Sequence, residues 1–396
     1  MKSNNKKDIY NPQNHYLQRF MYTLLNQSPS GFTKSVINLG GRACSVSLEE
    51  GARNKSITGG KIYRENDALG SYLAGLIEGG GTFAIHNKAS TAKKYSPMII
   101  VVFKKNDLPL AEYLQNVTKC GNVYNKPNRG YVIWQIQDIV SVFTIIKLIN
   151  GKMRTPKIEA LQRTIDWLNN YIDNNKSSNL PITKLILSKI YKLEFKSLDT
   201  SSIDSNTWLS GFSDADGNFS INIHKRSNRN STRIQLYYRM EIRQTYHRLD
   251  TEGNKTNYFS IMSIIANFLG VNLYSRNRTI NDKQFYSYTV VSHNKHSRSK
   301  IVEYFTKYPL LSSKYLDFKD WLSILDKQAK SNHPSISAPQ GTKPNLFEDT
   351  EDTVFCIRRD ATYYLDEAVK IRKDFNKTRT TYNWDHLKNC YLTRIE

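Results

Sequence analysis

The residues best placed to do chemistry in this chain form one short cluster, Asp214-Ala-Asp216-Gly217, at the end of a segment with helical apolar spacing. Gly217 is a natural C-terminal cap, so both carboxylates fall at the negative end of the helix dipole, where each costs about 0.3–1 kcal/mol. A bound divalent cation would offset that repulsion. Carboxylates, backbone carbonyls and a hard cation together make a phosphodiester-cleaving site, because the metal activates water and stabilises the leaving oxygen. The tetrapeptide alone does not separate such a site from an exposed acidic turn.

The segment carrying the cluster occurs twice. Ala68-Leu-Gly-Ser-Tyr-Leu-Ala-Gly-Leu-Ile-Glu-Gly-Gly-Gly-Thr-Phe83 and Thr207-Trp-Leu-Ser-Gly-Phe-Ser-Asp-Ala-Asp-Gly-Asn-Phe219 share one layout, offset by 136 residues (216 − 80). That period is too long for a solenoid and suits two copies of a domain of about 100 residues. Gly75 and Gly79 are four apart, as are Gly211 and Ala215, so each pair lies on one helix face. Small side chains there let two backbones approach, and the two helices are expected to pack on each other as a pseudo-twofold pair. Each would then bring its acidic end beside the other's.

Alternating runs follow each helix. In the second copy Ile234, Leu236, Tyr238, Met240 and Ile242 alternate with Arg233, Gln235, Tyr237, Arg239, Glu241 and Arg243, after a shorter run from Phe219 and before another over 284–291. Period two means strands with one buried and one wet face. The first copy has weaker runs over 81–87, 97–104 and 130–137, and helical patterns over 158–168 and 315–325 close the copies. The fold class expected is α+β, duplicated. The divisions expected are a polar N-terminal extension over 1–65, the first repeat over 66–172, a linker over 173–200, the second repeat over 201–328, and a linker with a helical C-terminal tail over 329–396.

Composition narrows the partners. Among 396 residues, 57 Lys and Arg against 35 Asp and Glu give +22. So basic a chain is drawn to polyanions, nucleic acid above all. No run reaches the roughly 18 apolar residues of a membrane span, and no signal-peptide-like run opens the chain. The four cysteines are scattered, which argues against a cysteine zinc site or a disulfide scaffold.

Leu73-Ala-Gly-Leu-Ile-Glu-Gly-Gly-Gly81 and Leu209-Ser-Gly-Phe-Ser-Asp-Ala-Asp-Gly217 resemble the paired signature helices of the LAGLIDADG homing endonuclease and maturase family. The likeness extends over about two thirds of the chain. Lys105–Leu110, Leu148–Lys157, Tyr308–Phe318 and Thr381–Leu387 resemble fungal mitochondrial intron-encoded members. The resemblance implies a monomer with tandem αββαββα domains, whose antiparallel sheets form a saddle in the DNA major groove. It also implies cleavage with Mg²⁺, one strand by each half, and a mitochondrial, organelle-encoded protein.

The family's metal-binding acid is the eighth signature position. That is Asp216 in the second motif, with the Ala215 carbonyl, and with the Gly79 carbonyl in the first, as implied ligands. In the first motif the eighth position is Gly80, so a carboxylate is missing. Glu78, at the sixth position, is only a weak substitute, since two residues along a helix face a different way. Lys157 and Lys314 occupy matching places and are implied as site lysines, or are ordinary helix-start lysines. DNA contacts are expected from His86, Lys88, Lys104 and Gln135 in the first half and from Arg226, Arg229, Arg233, Gln235, Arg239 and Arg243 in the second, because Arg and Gln suit G and A edges and cations suit phosphates. Two functions follow: an endonuclease on a long asymmetric double-stranded site, impaired by Gly80, or a group I intron RNA maturase that has lost cleavage. A DNA-binding repressor is a third.

Overall fold

Each signature segment folds as a helix that runs without a break into a strand. The computed structural model describes residues 62–85, 96–225, 232–249, 253–280, 282–331, 364–388 and 390–392, all within one compact unit, 36–396. The expected extension before residue 62 and the linker over 332–363 lie outside the described residues.

The first repeat reads α1 (Ile62–Gly80), β1 (Gly81–Ala84), β2 (Met98–Lys104), α2 (Leu108–Thr118), β3 (Asn122–Lys126), β4 (Tyr131–Ile136), α3 (Ile139–Ile149) and α4 (Ile158–Asn175). A connection carrying α5 (Pro181–Leu187) leads to the second repeat. That repeat reads α6 (Trp208–Asp216), β5 (Gly217–Lys225), β6 (Thr232–Arg243), β7 (Thr245–Leu249), β8 (Lys255–Asn257), α7 (Phe259–Leu269), β9 (Leu273–Ile280), β10 (Lys283–Ser292), α8 (Lys295–Lys307) and α9 (Lys314–Ser331). The two four-stranded sheets have matching orders, β1-β2-β4-β3 and β5-β6-β10-β9, with every pairing antiparallel. The duplication reaches helix starts: Asp138 accepts from Ser141 N–H ahead of α3, and Asn294 accepts from Ser297 N–H ahead of α8, both at 2.8 Å.

The alternation in β6 does what its period requires. Ile234, Leu236, Tyr238 and Met240 are buried against the helices, and the residues between them are on the other face. Where the structure departs from the sequence reading, burial is the reason. Strands β3 and β9 are implied by the αββαββα resemblance but are not marked by periodicity: each contributes at most one well-buried apolar side chain, so neither shows a clear period. A helix, α3 or α8, precedes each closing helix. The hairpin β7–β8 is an insertion in the second repeat alone. Among the described residues the C-terminal segment is helical over 364–373 and irregular afterwards apart from two short 3-10 turns. It is fastened by Arg379, paired with Asp317 and Asp320 of α9, and by Leu392, whose carbonyl accepts from the Tyr113 hydroxyl of α2 at 2.9 Å.

Helices α1 and α6 meet backbone to backbone. A Cβ on Gly75 would stand 2.0 Å from the Trp208 carbonyl oxygen, and one on Gly211 would stand 2.0 Å from the Tyr72 carbonyl oxygen. Gly79 faces Ala215, where an added Cβ would lie 2.4 Å from the alanine methyl. Gly80 is different: a Cβ there would meet Ala215 Cβ at 3.5 Å and Val102 O at 3.9 Å, ordinary contacts. Gly75→Ala should therefore force the helices apart and lower unfolding free energy by about 1–3 kcal/mol, the usual cost of overpacking. Gly80→Ala should leave stability unchanged or raise it slightly. Chemical denaturation of both variants checks this; a Gly75→Ala protein as stable as the wild type would contradict the close approach.

Candidate active site and nucleic-acid interface

The sixth-position acids are anchors for the helix pair. Glu78 is 1% exposed, and its carboxylate accepts from Arg154 N–H (2.9 and 3.1 Å), Thr155 N–H (2.6 Å), the Thr155 hydroxyl (2.6 Å) and, across the helix pair, Trp208 Nε1–H (2.5 Å). Asp214 mirrors this, accepting from Leu311 N–H (2.8 Å), Ser312 N–H (3.2 Å), the Ser312 hydroxyl (2.5 Å) and the Tyr72 hydroxyl of the partner helix (2.7 Å). Tyr72 and Trp208 are themselves 136 apart, so the exchange is reciprocal. Burial raises the pKa of both acids, and these hydrogen bonds oppose it.

Lys157 and Lys314, each 9% exposed, cap the two helix ends. Lys157 Nζ donates to the carbonyls of Ile77 (2.9 Å), Glu78 (2.6 Å) and Gly81 (2.8 Å). Lys314 Nζ donates to those of Ser213 (2.9 Å), Asp214 (2.8 Å) and Ala215 (3.0 Å). The repulsion that the sequence reading assigned to a bound metal is thus met, at the helix carbonyls, by buried ammonium groups. Burial brings Lys157 down to about 8, with Glu78 and Asp216 opposing the shift. It does the same to Lys314, where Lys104 lowers the value further and Asp214, Asp216 and Asp107 oppose.

The eighth positions differ. Asp216 is half-buried beside Ala215, and among the described residues nothing donates a hydrogen bond to its carboxylate. Its pKa is raised by burial, against the pull of Lys314 and Lys157. At the equivalent position of the other helix, Gly80 offers no side-chain ligand. Among the described residues no three His, Cys, Asp or Glu side chains converge as a metal-binding group. A hard cation that keeps most of its waters fits this single free carboxylate, with phosphate oxygens completing its shell.

Beside the first half-site, the β7–β8 hairpin brings Tyr246 near Glu159 of α4, and burial together with the glutamate's negative charge raises the tyrosine's pKa. His247 is held down to about 4 by burial and by the surrounding Arg248, Lys157, Arg243 and Arg163. This concentration of positive charge was not anticipated, since a hairpin made largely of polar residues gives no clear strand period.

The sheet faces turned away from the core carry the remaining candidates. Lys104 and Gln135 lie on that face of the first sheet, with Gln135 bonded to Gln137 at 2.7 Å. Arg233, Gln235, Arg239 and Arg243 lie on that face of β6, Arg233 and Arg243 exposed and the other two half-buried. His86, Lys88, Arg226 and Arg229 fall outside the described residues. The register adds Arg276 and Arg278 of β9, which pair with Glu241, the former at 3.3 Å. Burial lowers the Arg239 pKa, Glu241 opposes this, and Arg276 and Arg278 reinforce it.

Removing one cross-helix donor tests the anchors. Tyr72→Phe and Trp208→Phe should each cost about 1–3 kcal/mol by leaving a buried carboxylate short of a partner. Because both acids have raised folded pKa values, the stability linked to their protons falls as pH rises through the carboxyl range. Loss of a donor raises the pKa further, so the deficit should be larger at neutral pH than at about pH 4. Thermal unfolding across pH reads it; equal deficits at both ends would remove the role assigned to the acids.

Comparison with known proteins agrees with this geometry. The LAGLIDADG endonuclease family model matches residues 73–168 and 209–325. The chain is 43% identical over 370 residues to the intron-encoded DNA endonuclease aI3 of Saccharomyces cerevisiae, covering 89% of this chain and 81% of that one. It is 28% identical over 262 residues to the uncharacterized cox1 intron-2 37.2 kDa protein of Schizosaccharomyces pombe, 65% of each chain. The fold is similar to that of the LAGLIDADG homing endonuclease I-GzeII, solved in complex with its DNA target, with TM-score 0.53 at 16% identity over 78% of this chain and 99% of that one. With both signature helices and their sheets inside the matched spans, the chain belongs to the LAGLIDADG endonuclease family.

Proposed function

We propose that this protein is an intron-encoded DNA endonuclease that binds a long asymmetric duplex as a monomer and hydrolyses phosphodiester bonds with Mg²⁺, slowly or on one strand only. The observation that carries this reading is the broken symmetry of a duplicated site: Asp216 has a free carboxylate, and Gly80 stands in the equivalent place. The 43% identity to a yeast intron-encoded DNA endonuclease supports the activity. Similarity to a protein of a cox1 intron supports a mitochondrial gene.

In this reading Asp216 holds the ion, assisted by the Ala215 carbonyl, with the Gly79 carbonyl as the ligand offered by the other helix. When bound, Mg²⁺ lowers the pKa of a coordinated water and stabilises the leaving oxygen. Lys157 and Lys314 hold positive charge under the two phosphates while they fix the helix ends. Glu78 acts by position, through Trp208 and the loop before α4. Lys104, Gln135, Arg233, Gln235, Arg239 and Arg243 contact the duplex, and the +22 charge makes binding steeply salt-dependent.

Gly80 also favours a second reading, a group I intron RNA maturase in which cleavage has decayed. Adding the protein to its host transcript at low Mg²⁺ tests this; an unchanged splicing rate removes it.

For the endonuclease, a supercoiled plasmid carrying the joined exons of the host gene is the substrate. Nicked circles should accumulate ahead of linear product in Mg²⁺, and chelation should stop both. Asp216→Asn should slow nicking by at least about a hundredfold. Gly80→Asp should raise the linear product, since the position has room for a side chain. Concerted double-strand breaks by the unaltered protein, with no nicked intermediate, would show that the missing acid is immaterial.

A further inference from the structure

The two sheets share one register but not one chemistry. Pairing of Gly81 with Val101 and of Gly217 with Met240 makes those two strand positions equivalent. Ile100 then stands where the second repeat has Arg239, Val102 where it has Glu241, and Lys104 where it has Arg243. One strand further, Val102 pairs with Ile133 where Glu241 pairs with Thr289. The second repeat builds a charged network at this place, with Glu241 accepting from Arg276, Arg278 and Ser287. The first repeat places three branched aliphatic side chains there.

Ile100, Val102 and Ile133 are half-buried and stand outside the hydrophobic core, because Ile99, Val101, Val132 and Trp134 already fill the other face. Tyr124, 38% exposed, pairs with Ile133 on the same face. Exposed Lys104, Lys126 and Arg129 edge the strip. An apolar floor with a cationic rim on the sheet equivalent to an arginine-rich one fits a duplex more readily than a neutral protein surface. In the major groove the apolar feature of a base pair is the thymine methyl group, which takes aliphatic contacts.

We propose that the first repeat reads its half-site through apolar contact of Ile100, Val102 and Ile133 with thymine methyl groups, and so selects T-containing sequence next to the helix pair. The second repeat reads the other half by polar contacts. This rests on the DNA-binding reading above.

Duplexes selected by the full chain from a randomised library supply the probe. One half-site should be enriched in A·T pairs next to the centre. Replacing its thymines with uracil removes only the methyl groups and should weaken binding about fourfold for each contacted base, the value of one buried CH₂. The same replacement in the other half should change affinity less than about twofold. Ile100→Ala with Val102→Ala should remove most of the sensitivity to uracil, and adding Ile133→Ala should abolish it. Selected sites that tolerate uracil equally in both halves overturn the proposal while leaving DNA binding intact. Failure to select any duplex overturns the DNA-binding reading and this inference with it. A dimer in sedimentation that Ile100→Arg dissolves would assign the face to a second copy instead.

Discussion

The rest of the molecule depends on two helices touching at their backbones. Glycine at 75 and 211 lets each helix press on a carbonyl of the other, and only at that distance can Tyr72 reach Asp214 and Trp208 reach Glu78. Each of these aromatic residues belongs to one repeat and satisfies an acid of the other. The bonds are buried, so leaving either unmade would cost far more than an exposed bond would contribute. The helix contact therefore fixes where the two sheets begin, because β1 and β5 start at the residue following each helix.

A helix end crowded with acids needs positive charge, and here most of it is supplied internally. Lys157 and Lys314 are pressed against three carbonyls each, and the sixth-position acids are turned onto backbone N–H groups. The carboxylate of Asp216 has the charges of Lys314 and Lys157 nearby but, among the described residues, no hydrogen-bond donor. Among the described residues the donors go to Glu78 and Asp214 and none to Asp216, so two acids only two residues apart stand in different surroundings. Burial favours the neutral form of every one of these groups, acids and lysines alike, so each state is set by its neighbours.

Duplication preserved geometry more strictly than side-chain type. Helix caps, anchor acids, capping lysines and strand registers recur in both halves, since a shift of one residue in any strand would turn its core face outward. The outer faces are free of that constraint. There the halves differ, with an aliphatic strip on one side and an arginine–glutamate network on the other; at the helix ends the eighth signature position also differs, Gly80 against Asp216, and a Cβ at Gly80 would make only ordinary contacts.

Local periodicity and the repeated motif were enough to reveal a duplicated α+β chain, the contact between its glycine-bearing helices and the long strand β6. These are visible because burial of one face imposes a period on neighbouring residues. Other features have no such signature. Strands β3 and β9 lack a repeated buried side, so Arg276 and Arg278 went unnoticed. The roles of Glu78, Asp214, Lys157 and Lys314 depend on partners roughly 75 to 140 residues away in sequence, including backbone N–H and C=O groups that carry no sequence identity at all. Only the folded chain decides which acid is consumed by hydrogen bonds and which remains free, because that depends on which donors reach it in three dimensions.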